Sequence, residues 1–397
     1  MVKLDKATVA TMLAGMCTFL TVYSTQPLLP LLRQIFGASE FEVSLTVSAT
    51  IFATALAAPV IGMIAERLGR KKVIVPSLFL LTIPTALAAT SPSLGALIFW
   101  RFVQGLCVPG VIAVILAYVN EEWAGRGVGR AMAAYVAGTV LGGFLGRFLS
   151  GVIATHWNWR ATFVVLAAMN LAGAIVVRAW LPLAKNFVRA EHLRQVVDHA
   201  LEHLRNPWLL ANFGMGATAL FALVGCFTYT NFYLAASPFR LNSAQLGSIF
   251  FVYLLGVVIT PQAGHFLDRF GFRHTSLFYC GMMITGLLLT LVKSLPLVII
   301  GLAIFSSGVF VAQAAATVQT GAIAGRARSS AAGLYVTFYY LGGGIGAMLT
   351  DWFWRWKGWS GCVLLFAAVS LVSLWLGMLS SRPLDQLDSA EIELVGD

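Results

Sequence analysis

The chain repeats two of its own segments about two hundred residues further along the sequence. One segment begins at Ala124 with the sequence AGRGVGRAMAAYVAGTVLGGFLGRFLSG, and its counterpart begins at Ala324 with AGRARSSAAGLYVTFYYLGGGIGAMLTD. A second pair, PVIGMIAERLG from Pro59 and PQAGHFLDRFG from Pro261, aligns at almost the same offset. Repeats of this length indicate a fold built from related units, so we expect the chain to form two similar halves.

The composition assigns both halves to a membrane. Hydrophobic residues make up 59% of the 397 residues and charged residues only 11%, whereas soluble domains have about 25% charged residues. A membrane-spanning helix needs about 20 apolar residues, and we count twelve such stretches. They begin near Thr8, Glu42, Val73, Leu94, Val128, Asn158, Trp208, Ser243, Thr275, Leu295, Ser329 and Ser360. The sequence therefore predicts an all-α membrane protein of twelve transmembrane helices in two pseudo-symmetric six-helix halves.

The spacing of the apolar stretches sets the expected domain boundaries. We predict an N-terminal six-helix bundle over residues 1–182 and a C-terminal six-helix bundle over residues 207–380. Residues 183–206 are polar with apolar side chains along one helix face, which predicts an amphipathic cytoplasmic linker. Residues 381–397 form an acidic cytoplasmic tail in this scheme. Parallel repeats of this kind build carriers with a central site between the halves.

The basic residues are distributed unequally between the two sides of the membrane. The even-numbered connections, the linker and both termini carry about 18 Lys and Arg residues, and the odd-numbered connections about 6. Cytoplasmic loops are enriched in these residues, so we expect both termini in the cytoplasm and the protein in the plasma membrane, which is the inner membrane in a bacterium. The net charge of +10 then meets anionic lipid headgroups rather than nucleic acid. Tryptophans cluster on the opposite side as an interfacial belt does: Trp157, Trp159, Trp352, Trp354, Trp356 and Trp359.

The segment GMIAERLGRKK joins the second and third predicted helices and begins at Gly62. Gly62 allows the helix end to approach a neighbour closely, and Gly69 permits a sharp turn. Glu66 provides a carboxylate that can bind a helix N-terminus or an arginine. A positively charged cytoplasmic turn is the simpler interpretation, but the pattern recurs in the second half. The recurring residues are Gly264, Asp268, Arg269 and Gly271.

This segment resembles the signature loop of the major facilitator superfamily, Gly-x-x-x-Asp-Arg-x-Gly-Arg-Arg/Lys. The resemblance covers the whole chain, because that superfamily has twelve spans in two halves, a polar linker after the sixth span, and loops of this type after the second and eighth spans. It implies a transporter whose halves rock about a midplane cavity. It also implies that Glu66, with Arg67 and Arg70, holds the cytoplasmic side closed when the cavity faces outward. Glu66 stands where the family has Asp.

The segment RFVQG begins at Arg101, early in the fourth predicted span. An arginine at the membrane centre costs about 2.5–3.5 kcal/mol, so such residues usually line a cavity or pair with an acid. The segment resembles the second motif of the superfamily, which implies a role of Arg101 in proton coupling or substrate contact. The alternative is that Arg101 donates hydrogen bonds to backbone carbonyls and holds helices together.

The fifth predicted span contains GTVLGGFLGR, from Gly138 to Arg147. It resembles the antiporter motif Gly-x-x-x-Gly-Pro-x-x-Gly-Gly, with Gly143 in place of the proline and Arg147 in place of the last glycine. The variant is similar to the twelve-span drug:proton antiporter branch of the superfamily. Small residues four positions apart also let helices pack closely in carriers of any direction, and we favour that interpretation. The expected packing glycines are Gly138, Gly142, Gly143, Gly146, Gly342, Gly343 and Gly346.

Polar side chains inside the spans are the candidates for a substrate or coupling site, because polar groups at lipid depth usually face protein or water. The candidates are Tyr23, Gln26, Arg101, Gln104, Arg147, Asn231, Tyr253, Gln313 and Tyr339. The first and fourth spans contain no carboxylate, although drug:proton antiporters commonly carry one there. Proton coupling through a midplane acid is therefore not supported. Arg101 and Arg147 without such an acid favour an anionic or zwitterionic solute.

Three classes of function compete. We favour a secondary active carrier that works by alternating access and exports drugs or amphipathic metabolites in exchange for protons. The rival is a facilitator or importer of a sugar, organic acid or other metabolite without proton antiport. A membrane-embedded enzyme or receptor is the third class, but the sequence has no nucleotide-binding loop, HExxH motif or nucleophile elbow, and the stretch after Arg382 is too short for a folded soluble module. We expect a monomer with a small-molecule substrate, with protons if antiport operates, and with no catalysis, cofactor or metal.

Overall fold

The computed structural model describes residues 5–123, 127–184, 200–324 and 328–395. Within these ranges, the side chains at 257, 260, 261, 263–266, 268, 328, 329 and 382–395 lie outside the description. The described chain is nearly all helical and contains no strand. Its helices are α1 Lys6–Val22, α2 Leu29–Phe36, α3 Glu40–Leu68, α4 Lys71–Ala88, α5 Leu94–Cys107, α6 Pro109–Glu122, α7 Val128–His156, α8 Trp159–Trp180, α9 Pro207–Ala235, α10 Ser243–Ile249, α11 Leu255–Leu289, α12 Leu295–Ile323 and α13 Arg328–Val395.

Nine segments of the described chain are long and apolar enough to cross a membrane. The last of them, Ser330–Ser381, is 52 residues long and is interrupted by non-helical backbone at Lys357 and Gly358. Helix α11 is interrupted in the same way at Gly271. Both interruptions lie where the sequence predicts a connection between two spans. The all-helical membrane fold is confirmed, and the number of twelve spans stays a prediction.

The first span is broken between α1 and α2 because prolines prevent a continuous helix. Pro27 lacks an amide hydrogen, and the residues before it form a 3₁₀ turn in which the Gln26 amide donates to the Tyr23 carbonyl. In a regular α-helix the Gln26 amide donates to the carbonyl of Val22 instead. The break therefore frees backbone carbonyl groups inside the bundle, and they need other donors.

Two matching contacts, here called the glycine seams, hold α7 against α1 and α13 against α9. A Cβ atom on Gly138, Gly142 or Gly146 would collide with the carbonyl oxygens of α1, and one on Gly342 or Gly346 with those of α9. Only glycine lets the backbones approach this closely. In both halves these glycines lie at the close contacts between helices where the sequence leads us to expect them.

The remaining two glycines of the predicted set differ from each other. A Cβ atom on Gly343 would meet the Leu220 side chain at 2.7 Å, so Gly343 packs against α9 as expected. A Cβ atom on Gly143 would meet only the flexible Arg147 side chain, at 3.2 Å. Gly143 lines the cavity between the halves, so the expected packing contact is not made at this position.

The two ends of the bundle differ in composition and in packing. The basic end contains the turn between α3 and α4, with Arg67, Arg70, Lys71 and Lys72. The tryptophan end contains the exposed side chains of Trp157, Trp352 and Trp356. At the tryptophan end the halves touch through α7 and α10, where the Ala244 amide donates to the Thr155 hydroxyl at 3.0 Å.

Candidate cavity between the halves

A cavity of about 530 Å³ lies between the two halves, within the size range of small-molecule sites. Helices α7 and α13 each turn one face toward it. Its lining extends from Arg147 to Met132 on α7, and it includes Ala332 on α13. Met132 and Ala332 each lie within about one turn of the basic end of their helix. The cavity therefore reaches toward the basic end and is closed at the tryptophan end.

The lining is aromatic and almost uncharged. Apart from tyrosine hydroxyls, its polar side chains are Arg147, Gln313, Thr139 and Thr317. No Asp, Glu, His or Lys lines the cavity within the part of the chain that the structure describes. The aromatic lining residues are Phe19, Tyr23, Tyr135, Tyr253, Phe310, Tyr335, Tyr339 and Tyr340. Such a surface suits a ligand with a large apolar body and one anionic group.

Arg147 lies at the closed end of the cavity and is 2% exposed. Its Nε donates to the Gln26 Oε1 at 2.7 Å, and its Nη1 donates to the Gly143 carbonyl at 2.7 Å. The guanidinium carbon lies 4.4 Å from the centre of the Tyr23 ring, 4.6 Å from that of Phe250 and 4.8 Å from that of Tyr253. We call these three rings the aromatic cage; they satisfy cation–π geometry. Among the described residues, no carboxylate pairs with Arg147.

The aromatic cage contains rings from both halves of the protein. Tyr23 belongs to the first span, whereas Phe250 and Tyr253 belong to the 3₁₀ turn Phe250–Leu254 that follows α10 in the second half. Arg147 itself is on α7 in the first half. The arginine therefore contacts the opposite half at the point where the cavity is closed.

Arg101 differs from Arg147 in its hydrogen-bond partners. It is fully buried, and its Nε donates to the Thr46 carbonyl and its Nη1 to the Thr21 carbonyl, both at 2.8 Å. Its Nη2 donates to the Val22 carbonyl, which the break in the first span leaves free, and its Nη1 also donates to Gln104. Arg101 does not line the cavity. This arrangement fits the interpretation in which Arg101 holds α1, α3 and α5 together.

Five of the nine polar candidates line the cavity: Tyr23, Arg147, Tyr253, Gln313 and Tyr339. The other four lie outside the lining, namely Gln26, Arg101, Gln104 and Asn231. Asn231 donates to the carbonyl of Phe227 on its own helix. Gln26 lies behind Arg147 and contacts it. Each of the four is buried and forms a hydrogen bond with the helix backbone or with another side chain. Polarity alone does not distinguish such a residue from one that lines the cavity.

Three lining tyrosines were missed as candidates: Tyr135, Tyr335 and Tyr340. A signal for two of them was present, since Tyr135 and Tyr335 occupy matching positions in the internal repeat. Tyr335 and Tyr339 also lie four residues apart and therefore share a helix face. Repetition together with helical spacing identifies these residues better than polarity does.

The signature loop takes the expected turn at Gly69, but its carboxylate pairs with no arginine among the described residues. Gly69 has a φ of 93°, which strongly favours glycine. Arg70 forms a two-pronged ion pair with Glu121 at the end of α6, with a shortest distance of 2.6 Å. Glu66 Oε2 is buried and has no hydrogen-bond partner among the described residues, and Arg67 is exposed. A Cβ atom on Gly62 would meet open space, so the expected close approach at Gly62 is not made in this structure.

The matching loop of the second half contains the same turn. Gly271 has a φ of 73° and interrupts α11. Arg269 is exposed, and its guanidinium carbon lies 5.3 Å from the centre of the Phe270 ring. The predictions for Gly264 and for the Asp268 carboxylate concern side-chain positions outside the described residues.

Two related helical halves around a central cavity define a membrane transport protein. A sequence model of the Major Facilitator Superfamily matches residues 11–239 and 230–393, and the chain belongs to this family. The inner membrane transport protein YnfM of Escherichia coli (strain K12) is 33% identical over 375 residues, which are 94% of this chain and 89% of YnfM. An uncharacterized transporter of Buchnera aphidicola subsp. Schizaphis graminum is 30% identical over 95% of this chain and 91% of its own length.

A solved structure supports the same fold. A bacterial homologue of the human lysosomal transporter Spinster, in an inward-facing and occupied conformation, superposes with a TM-score of 0.76 at 14% identity. The match covers 94% of this chain and 96% of that chain. The family and the fold together identify an integral membrane transporter rather than an enzyme.

Proposed function

We propose that the protein transports small amphipathic organic anions by alternating access, with Arg147 as the residue that binds the anionic group. The observation that carries this proposal is a buried arginine at the closed end of an aromatic cavity whose described lining has no acid. Arginine binds carboxylate and similar oxyanions through paired, charge-assisted hydrogen bonds. An anion at this position supplies the opposite charge that the described protein does not.

A purely structural role explains Arg147 less well than it explains Arg101. Arg101 donates to three backbone carbonyls, so its charge has acceptors on several helices. Arg147 has one backbone acceptor, on its own helix, and otherwise contacts an amide and aromatic rings beside a cavity. Burying a guanidinium is costly without strong compensation. We infer that substrate provides part of that compensation.

Export is the direction that we propose, because Gly138–Arg147 resembles the antiporter motif and the aromatic cavity suits amphipathic molecules. With the basic end in the cytoplasm, the cavity is open toward the cytoplasm and can bind such molecules there. In this proposal the protein functions as a monomer in the inner membrane. Proton exchange has no carboxylate or histidine to carry it in the described lining. That observation favours the second candidate, a facilitator without proton antiport.

The test uses three molecules of one shape and different charge: naphthalenesulfonate, naphthalenesulfonamide and naphthyltrimethylammonium. Purified protein in proteoliposomes is assayed for uptake of each, with a pH-sensitive dye inside the vesicles. We expect transport of the sulfonate above the other two, and at least about a tenfold loss of this transport in Arg147→Gln, since a hydrogen bond to a charged group contributes about 1.5–3 kcal/mol.

The matched control is Arg178→Gln, which removes one positive charge from an exposed position on α8. This variant should transport the sulfonate as the wild type does. Preference for the cation, or full transport by Arg147→Gln, would refute the anion proposal. Sulfonate-evoked proton movement would support antiport, and transport without it would support the facilitator.

A further inference from the structure

Gln26 connects the two halves of the protein through both ends of its side-chain amide. Its Oε1 accepts from Arg147 Nε at 2.7 Å, and its Nε2 donates to the Thr228 hydroxyl at 3.2 Å. Arg147 is on α7 in the first half, and Thr228 is on α9 in the second half. Gln26 and Thr228 are both completely buried. Water therefore does not compete for either hydrogen bond.

The break in the first span determines where the Gln26 side chain lies. Gln26 is the first residue of the 3₁₀ turn that Pro27 imposes. Its backbone amide is used within that turn, and its side chain reaches the guanidinium of Arg147. Arg147 uses Nε for Gln26 and Nη1 for Gly143, and its Nη2 makes no hydrogen bond among the described residues. Gln26 therefore fixes the guanidinium with one nitrogen left for a ligand.

The aromatic cage adds a second contact between the halves at the same arginine. Phe250 and Tyr253 belong to the second half, and both rings lie within 4.8 Å of the guanidinium carbon. A cation–π contact between desolvated groups contributes up to about 2 kcal/mol. This attraction depends on the positive charge of Arg147, so an anion that neutralises the charge weakens it. Separation of the halves at the tryptophan end would break the cage and the hydrogen bond from Gln26 to Thr228.

We propose that Gln26 is a positioning residue that links anion binding at Arg147 to separation of the two halves at the tryptophan end. The proposal rests on the proposed function, since it takes an organic anion as the substrate. Without the anion, the charged guanidinium and the amide of Gln26 hold α7 and the first span against the second half. With the anion bound, the cage contacts weaken and the tryptophan end opens.

Two substitutions separate the two ends of the Gln26 amide. Thr228→Val removes the acceptor on the second half and leaves the bond between Gln26 and Arg147. Gln26→Glu places a carboxylate beside the guanidinium and imitates a bound anion, while the Thr228 hydroxyl can still donate to that carboxylate. Thr230→Val is the matched control, because Thr230 is buried on the same helix and its one hydroxyl contact within the described residues is a long one, 3.9 Å, with the Cys226 sulfur.

Opening is measured as a distance between spin labels on full-length protein in nanodiscs. The labels are attached at Trp157→Cys in the first half and Arg240→Cys in the second, both at the tryptophan end, with the partly exposed Cys107 replaced by serine. Binding of naphthalenesulfonate is measured by calorimetry on the same variants, with or without the labels. The wild type should shift toward longer distances when naphthalenesulfonate is added.

We expect Thr228→Val to bind naphthalenesulfonate within about twofold of the wild-type affinity and to show more of the long distance before the anion is added. Gln26→Glu should lose at least about tenfold in affinity and show the long distance with or without the anion. Thr230→Val should match the wild type in both measurements. If Gln26 only stabilised the fold, its substitution would lower the stability of the protein. The two variants would then not differ in the way that their affinity and their spin-label distance change.

The outcomes distinguish this inference from the proposed function. Absence of naphthalenesulfonate binding to the wild type would refute the proposed function and, with it, the link to Gln26. Normal binding together with unchanged distances in Thr228→Val would refute only the link. If Gln26→Glu fails to fold, Thr228→Val still decides, because its change is nearly isosteric and removes a single hydrogen bond.

Discussion

The two glycine seams have the same geometry, but only one of them carries a charge. In the first half, Gly142 and Gly146 lie against the carbonyls of Met16 and Leu20. In the second half, Gly342 and Gly346 lie against those of Ala217 and Phe221. The helices therefore pack in the same way 200 residues apart in the sequence.

The residues beside the seams differ between the halves. Ala347 of the second half corresponds to Arg147 of the first. Val224 corresponds to Tyr23, and Phe227 corresponds to Gln26. The second half forms the same seam with an alanine at the position of the arginine. The fold therefore does not require a charge there, and the arginine occurs at this position in one half only. This difference between the halves supports the proposal that Arg147 binds a substrate.

The largest effect is expected from breaking either seam. Gly142→Val and Gly342→Val each place a side chain where a carbonyl oxygen of the neighbouring helix lies, and neither backbone can yield without moving a whole helix. Both variants should give almost no folded protein, measured as the monodisperse fraction after detergent extraction. Gly321→Ala is the control, because a Cβ atom there meets open space. If only one seam variant failed to fold, the seams would not be equivalent.

The next largest effect is expected for Arg101→Met. This change removes the hydrogen bonds that the guanidinium donates to the carbonyls of Thr21, Val22 and Thr46, at about 1 kcal/mol or more each, or roughly 3 kcal/mol in total. The unfolding temperature in detergent should fall clearly. Arg147→Met should lower it much less, because it removes one hydrogen bond to a backbone carbonyl and one to a side-chain amide. Equal losses for the two arginines would contradict the distinction between a structural and a ligand-binding arginine.

The sequence was a better guide to the fold than to the site. The repeated glycines predicted both seams and the turns at Gly69 and Gly271, because a close backbone approach and a left-handed turn each restrict the residue type strongly. The direction of a polar side chain inside an apolar helix has no such signature. The side chain of Gln26 is positioned by the proline break beside it, and that of Arg101 by the same break about 75 residues earlier in the chain. The contact of Arg147 with Phe250 depends on how the two halves meet.

A second asymmetry between the halves, at the basic end, predicts a smaller effect. Arg70 pairs with Glu121, whereas the matching positions of the second half are Phe272 and Gly321. The Arg70 and Glu121 side chains are 11% and 25% exposed, so the pair is partly screened by solvent. Glu121→Gln should therefore lower the free energy of unfolding by no more than about 1 kcal/mol. A loss as large as that of Arg101→Met would show that the basic end depends on this ion pair.

The smallest effect is expected from pH. The described lining offers a ligand no Asp, Glu or His, and arginine stays protonated throughout the usual range. A sulfonate also keeps its charge. The affinity for naphthalenesulfonate, measured by calorimetry, should therefore change by less than about twofold between about pH 5.5 and 8, where a histidine or a perturbed carboxylate would titrate. A steep loss of affinity within that range would show that a titrating group controls ligand binding.

Asp351 is the first such group to examine, since it is 6% exposed at the tryptophan end. There it accepts a hydrogen bond from Tyr229 at 3.3 Å and pairs with Arg355 at 2.6 Å. If the pH dependence disappeared in Asp351→Asn, proton coupling would be assigned to the tryptophan end, where the cavity is closed, and not to the cavity lining.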